Sequence, residues 1–336
     1  MLAATVPLLL SGCYYGHLAH GQYELVSKRT PIEKLLRDPA TSPALRDRLT
    51  KALEARRFAS RELKLPDNGS YTTYADLGRP FAVWNVFATP ELSLQPQEWC
   101  YPVFGCQSYR GYYELERGEE LAAQLRAEGM DVFVAGVGAY STLGWFDDPI
   151  LNTMRGADDE LAATIFHELA HQVEFAAGDT AFNESFATFV EQEGLRRYLK
   201  EQPELAQAAE RRRQRREQVA ALMMRSRARL VEIYASAEPN GEKRQRKLRE
   251  FERLRQEYAE LRAGWGDDRG YDAWFKGELN NARLLPFGLY NRWVPAFAAL
   301  FRRQQGDWVA FYREVGELGN LDKAEREKRL EQLLLP

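Results

Sequence analysis

Four histidines occur in the 336-residue chain, and two fall in Thr164–Phe175, TIFHELAHQVEF. On a helix, residues i and i+4 share a face, so His167 and His171 can present ring nitrogens to one ion. Glu168 is rotated about a quarter turn from His167, outside the ligand plane but near a water on that ion. This is the layout of metal-assisted hydrolysis: the ion makes water acidic, the glutamate takes its proton, and the nucleophile attacks a carbonyl. With so few histidines, chance gives the pattern in well under about one per cent of such chains. Two histidines on an ordinary polar helix face are the competing reading. Further on, Phe182-Asn183-Glu184-Ser185-Phe186-Ala187 puts Glu184 early in the next helix. Two antiparallel helices joined by a tight turn would set Glu184 opposite the two imidazoles as a third ligand.

The reaction also needs a donor for the oxyanion. His17 and His20 lie near the start, so the body of the chain must use Tyr or Arg. Tyr290 is the first choice, with Tyr140 and Arg283 next. Asn280-Asn281-Ala282-Arg283 follows a charged insertion, where the chain can return to the cleft. Gly138-Ala139-Tyr140-Ser141-Thr142 reads as an edge strand to which an extended substrate adds by backbone hydrogen bonds. Tyr140, Ser141, Asn281 and Arg283 are therefore candidate substrate contacts. Asp147 and Asp148 lie near the Gly138–Thr142 segment and read either as carboxylates for a substrate ammonium group or, preceding Pro149, as turn formers.

The elements that must position these groups follow from periodicity. Ala157–Ala177 reads as one helix with Asp158, Asp159 and Glu160 in its first turn, where the macrodipole favours anions. Gly178-Asp179 ends it, and a second helix runs from about Thr180 to Lys200. Upstream, residues 14–65 read helical. Strand-like pieces follow at Tyr71–Tyr74, Phe81–Phe87, Tyr112–Leu115 and Val132–Val137, with a short helix at 118–129. Residues 201–263 differ: 196–262 carry 19 Lys/Arg against 11 Asp/Glu in a chain of net charge −3. Glu238-Pro239-Asn240-Gly241 is a turn between two charged helices, the second with an apolar seam at Leu248, Phe251, Leu254, Tyr258 and Leu261. The dense run Arg211–Arg216 reads as a solvated face or as a surface for acidic headgroups. The mixed charge gives no reason to expect a nucleic-acid partner.

The cysteines and the N-terminus concern compartment. Cys100 and Cys106 bracket a turn containing Pro102 and Gly105, which can close a disulfide in an oxidising compartment. Two free thiols in a strand-rich segment are the alternative. Met1–Cys13, MLAATVPLLLSGC, is apolar but too short to span a bilayer. Leu10-Ser11-Gly12-Cys13 resembles a bacterial lipobox, which implies cleavage after residue 12 and a lipid anchor on Cys13. No Lys or Arg precedes the apolar run. Tyr14, rather than Asp, follows the cysteine, and by that resemblance the protein sorts to the periplasmic face of the outer membrane.

The metal motif resembles the gluzincin metallopeptidases, in which HExxH is followed by a glutamate on the next helix. The closest match is to aminopeptidase-N-like enzymes, with Asn-Glu-Gly-Phe-Ala and a second glutamate seven residues after the ligand. Here Ser185 replaces the glycine, and Glu191 stands at the last position. The gap between ligands is shorter than in those enzymes, and their Gly-x-Met-Glu-Asn amine-binding segment is absent. The chain as a whole is similar to a bacterial family of putative aminopeptidase lipoproteins. LSGCYYGHLAHGQYELV, WCYPVFGCQSYRGYY, GVGAYSTLGWFDDPIL, HELAHQ, FNESFATFVE and NNARLLPFGLY carry that likeness.

The resemblance implies one zinc ion held by His167, His171 and Glu184, with Glu168 as base and Glu191 and Asn183 supporting the ligands. The expected fold is α+β: a thermolysin-like core with a small mixed sheet, a mostly helical C-terminal half and an inserted antiparallel hairpin. The expected parts are a signal peptide (1–12), an N-terminal helical segment (13–70), the zinc core (71–200), the hairpin (201–263) and a C-terminal helical part (264–336). The expected activity is peptide hydrolysis by an aminopeptidase. An endopeptidase acting on envelope proteins and a scaffold with structural zinc are the alternatives. The first is motivated by the absent amine-binding segment; a closed four-ligand site would favour the second.

Overall fold

A computed structural model describes residues 6–101, 105–139, 142–266, 269–290 and 292–335, with 6–13 and 288–290 described as backbone only. The motif helix, Asp158–Ala170, starts with three acidic residues, and Glu160 Oε2 accepts the Ala157 N–H at 2.9 Å. Its apolar face, Leu161, Ile165, Phe166 and Leu169, is fully buried in the main core beside the helix Pro43–Leu63.

The motif helix stops at Ala170, not at Ala177 as its periodicity predicts. The return helix, Thr180–Tyr198, begins ten residues later, so the chain must reverse at once. Val173 N–H donates to Ala170 O (2.9 Å), and Asn183 clasps Ala176 through both its amide oxygen and nitrogen (2.8 and 2.9 Å). Gly178 takes φ +78°, a conformation that favours glycine. Asp179 then caps the return helix by accepting the Phe182 N–H, and its other oxygen meets the buried Arg326 guanidinium at 2.6 Å. The local hydrogen bonds of this reversal outweigh the helical pattern.

Phe182, Phe186, Phe189 and Val190 of the return helix are buried against the C-terminal helices Val294–Arg303 and Trp308–Gly319. Phe186 lies 5.7 Å from Phe297 and Phe189 lies 5.2 Å from Phe311 between ring centroids. Each such side chain contributes about 1.5–3 kcal/mol through burial. This aromatic packing fixes the helix that carries Glu184.

On the other side of the motif helix stands an antiparallel sheet. Its central strand, Val83–Pro90, pairs with Arg110–Tyr112 and with Met130–Val137, an edge strand. The helix Leu115–Ala127 covers one face through Ala122 and Leu125. The strand expected over Tyr112–Leu115 ends at Tyr112, because Glu114 already begins that helix. The edge strand likewise stops at Val137 rather than continuing through Gly138–Thr142; Thr153 Oγ1 donates to Gly138 O at 2.6 Å. Tyr140 and Ser141 lie outside the described residues.

A second sheet joins Thr30–Pro31, Thr73–Ala75 and Ile150–Leu151, which interrupts the helical stretch read over 14–65. The third, Trp99–Tyr101 with Gly105–Gln107, is closed by a Cys100–Cys106 disulfide. A helix Val6–Ser27 runs through position 13, and the Cys13 side chain lies outside what is described. Among the described residues no helix is long and apolar enough to cross a membrane.

The basic segment forms two helices, Pro203–Ala235 and Asn240–Ala263, with their own core of Val219, Leu222, Met223, Phe251, Leu254 and Tyr258. Leu248, expected in the seam, is 61% exposed. Lys247 takes the inward place, its ammonium 2.7 Å from Asp131 and 2.9 Å from Glu91 O. The arginine run is not a uniformly free face. Arg212 bonds Asp159 of the motif helix, Arg213 bonds Glu210 and Glu217, and Arg215 donates to Trp265 O.

Candidate metal centre

Because the motif helix ends where it does, His171 is its C-cap residue and His167 lies one turn earlier, ring centroids 5.0 Å apart. The return helix brings Glu184 across: its Oε2 lies 3.3 Å from His167 Nε2 and 3.8 Å from His171 Nε2. One donor atom from each of the three residues lies within 4.8 Å of the others. Two turns along the return helix, Glu191 Oε2 sits 3.1 Å from His167 Nδ1. A carboxylate there fixes the ring so that Nε2 faces Glu184.

The electrostatics suit a cation. Burial holds the His171 imidazole down at about 4, which leaves it neutral with a lone pair available, and its buried Nδ1 has no partner among the described residues. Burial also opposes charge on His167, but hydrogen bonds to Glu184 and Glu191 outweigh it and raise its pKa well above the ordinary value. In this arrangement His167 supplies the positive charge that two carboxylates demand. Nitrogen and oxygen donors in this proportion are the set that zinc takes.

Glu168 occupies the wall of the same cavity, of about 710 Å³, on which both histidines and Glu184 open. Burial pushes it up to about 8; His167 opposes this, and the charges of Glu184, Asp148 and Glu191 reinforce it. Asp148, read as a substrate carboxylate or a turn former, is 4% exposed and accepts from Thr142 N–H and Oγ1 at 2.9 and 2.8 Å. Burial lifts its pKa to about 6.

Several expected contacts are placed elsewhere. Asn183 serves the Ala176 backbone rather than the ligands. Asn281 is fully buried, donates to Glu91 O and Ser93 O, and accepts from Tyr234 OH at 2.7 Å, so it joins the hairpin to the body. Arg283 stacks between Phe133 and Trp274, 4.8 Å from each ring, and donates to Glu278 O. Burial among apolar rings and backbone acceptors keeps both from the cavity. The Tyr290 side chain lies outside what is described.

The residue missed from sequence is Tyr109. It lines the cavity, packs on Phe87 at 5.5 Å, and its hydroxyl has no hydrogen-bond partner among the described residues. Burial, aided by the charges on Glu184 and Glu168, pushes its pKa up, so the phenol remains a donor. The signal in the sequence is its place three residues after Cys106 in WCYPVFGCQSYRGYY, a segment whose cysteines and family likeness do not single out Tyr109. That hairpin touches the metal loop directly: a Cβ at Gly105 (φ +68°) would lie 2.8 Å from Gly178 N.

The family model described as Putative aminopeptidase matches residues 13–330. The chain belongs to that family. No curated protein and no solved structure matches it. Membership in the putative aminopeptidase family is consistent with peptidase activity. Its match covers the N-terminal helix from residue 13 onward, the motif and return helices and the basic hairpin.

Proposed function

We propose that this protein is a zinc-dependent peptidase of gluzincin type, with an aminopeptidase the first reading. The observation that carries it is the convergence of His167, His171 and Glu184 within 4.8 Å, with Glu168 on the wall of the same cavity. The two imidazoles and Glu184 would hold the ion, and Glu191 would keep His167 in register. Zinc, when bound, supplies Lewis-acid chemistry that makes water acidic and a carbonyl electrophilic.

The chain's own residues do the rest. Glu168 takes the proton from the attacking water at its carboxylate and returns it to the leaving amine nitrogen. Tyr109 donates its hydroxyl in a hydrogen bond to the oxygen that becomes negative. The edge strand Met130–Val137 lies beside the cavity, with Val137, Gly138 and Ala139 on its wall, and offers backbone to an extended peptide.

Replacing Glu168 with Gln should leave the zinc content of the purified protein unchanged and lower kcat at least about 10³-fold. Wild-type-like turnover would overturn the mechanism. Free and N-acetylated forms of one peptide separate the first reading from the endopeptidase one. Cleavage of the free amine alone supports an aminopeptidase. A lipid anchor at Cys13 and a periplasmic, outer-membrane location belong to the same proposal. They rest on Leu10-Ser11-Gly12-Cys13 and on the disulfide.

A further inference from the structure

The charges around the cavity differ in how they are engaged. Each carboxylate on its wall has an assignment. Glu184 faces the two imidazoles, Glu191 bonds His167, and Glu168 is the base. Glu160 accepts the Ala157 N–H at the head of the motif helix, with Arg212 at 3.9 Å from its other oxygen. An ammonium group therefore meets no uncommitted carboxylate on the described wall.

The cations are another matter. Arg155, in the turn before the motif helix, lines the cavity, is exposed, and makes no side-chain hydrogen bond or ion pair among the described residues. Arg216, from the long arm of the hairpin, lines it too. Among the described residues its guanidinium has only Glu191 Oε1, at 3.9 Å, and its side chain is 42% exposed. Glu191 is already committed to His167, so Arg216 keeps most of its hydrogen-bonding capacity. Glu160 and Thr164 of the motif helix are on the same wall. An arginine fork matches a carboxylate in shape and charge.

We propose that Arg155 and Arg216 make this cavity selective for peptides that carry a carboxylate near the scissile bond. That carboxylate comes from an Asp or Glu side chain or from the peptide's own C-terminus. The inference rests on the peptidase reading for the identity of the ligand. It also assigns the basic hairpin a task, since the long arm delivers one of the two cations to the site.

The test uses zinc-loaded full-length protein with Glu168→Gln, so that binding is measured without turnover. Three versions of one labelled peptide are titrated: Gln-containing with an amidated end, Glu-containing with an amidated end, and Gln-containing with a free C-terminal carboxylate. The expected result is Kd at least about 10-fold lower for one or both carboxylate peptides, and the two arms say which source is read. In Arg155→Gln, Arg216→Gln and their combination, the ratio to the neutral peptide should fall stepwise toward one. Equal affinity for all three peptides overturns the proposal. So does a preference that survives in the double variant, because the metal itself would then be reading the carboxylate. Failure of the wild-type protein to hydrolyse any of the peptides counts against the peptidase reading only, since the binding ratio is obtained without hydrolysis.

Discussion

The motif and return helices bury Glu168, His171, Asn183 and Glu184 along their contact, whereas the two arms of the basic hairpin bury Val219, Leu222, Met223, Phe251 and Leu254. In the first pair Glu168, His171 and Glu184 open on the cavity, while Leu161, Ile165, Phe166, Phe182 and Phe186 are buried in the main core. In the second the seam is apolar, and the buried Glu250 is answered at once by Ser226 at 2.7 Å and by Arg229. Buried charge without a partner is costly, and here the hairpin neutralises the Glu250 carboxylate. The helix pair instead leaves Glu168 without a hydrogen-bond partner among the described residues and one nitrogen of His171 unpartnered. Glu168 and His171 open on the cavity that His167 and Glu184 also line.

Four measurements break or sharpen this contrast. Leu254→Ala in the hairpin core should lower stability by about 3 kcal/mol, from lost burial and the cavity left behind. Zinc content in the folded fraction should stay at the wild-type level by elemental analysis; its loss would mean that the hairpin is part of the metal scaffold. Tyr109→Phe should lower kcat about 10²-fold, with KM and thermal midpoint little changed. Glu191→Gln should weaken zinc binding by about 10-fold in a competition titration, while the metal-free protein unfolds as before. A shift in metal-free stability larger than the loss in affinity would make Glu191 a structural residue.

The smallest effect concerns Asp148. Its pKa is raised to about 6, so the folded chain holds a proton that the unfolded chain releases near pH 4. Stability from this group is therefore present at low pH and lost as pH rises from about 4 through 6. Asp148→Asn should flatten the stability profile across that window, by no more than about 1.4 kcal/mol per pH unit. An unchanged slope in denaturant titrations at pH 4, 5 and 6 would show that Asp148 is not the group titrating.

What could be read in advance divides along the same line. The three donors of the metal group were legible because helical spacing fixes His167 against His171 and the Asn-Glu pair follows on the next helix. The hairpin was legible from its charge and from Phe251, Leu254 and Tyr258. Leu248 misled because Lys247 reaches inward to Asp131, a tertiary contact that outranks local pattern. Asn281 and Arg283 misled for the same reason, their partners lying far away in the chain at Glu91, Phe133 and Tyr234. Tyr109 has no local signal beyond its place three residues after Cys106. It lies in the bend between Gly105–Gln107 and Arg110–Tyr112, strands of two different sheets, and nothing in its own neighbourhood specifies where those sheets sit.

The interval between His171 and Glu184 is held from three directions. Asn183 grips Ala176, Arg326 grips Asp179, and Gly105 of the disulfide hairpin leaves no room beside Gly178. Surface loops ordinarily accept extra residues with little penalty. This one has no slack: an inserted residue must break one of the three grips or move Glu184 off its imidazoles. The gap between ligands is thus a dimension of the molecule, as fixed as a bond length in a rigid ring. Any longer version of it gives up at least one of these three contacts or the approach of Glu184 to the imidazoles.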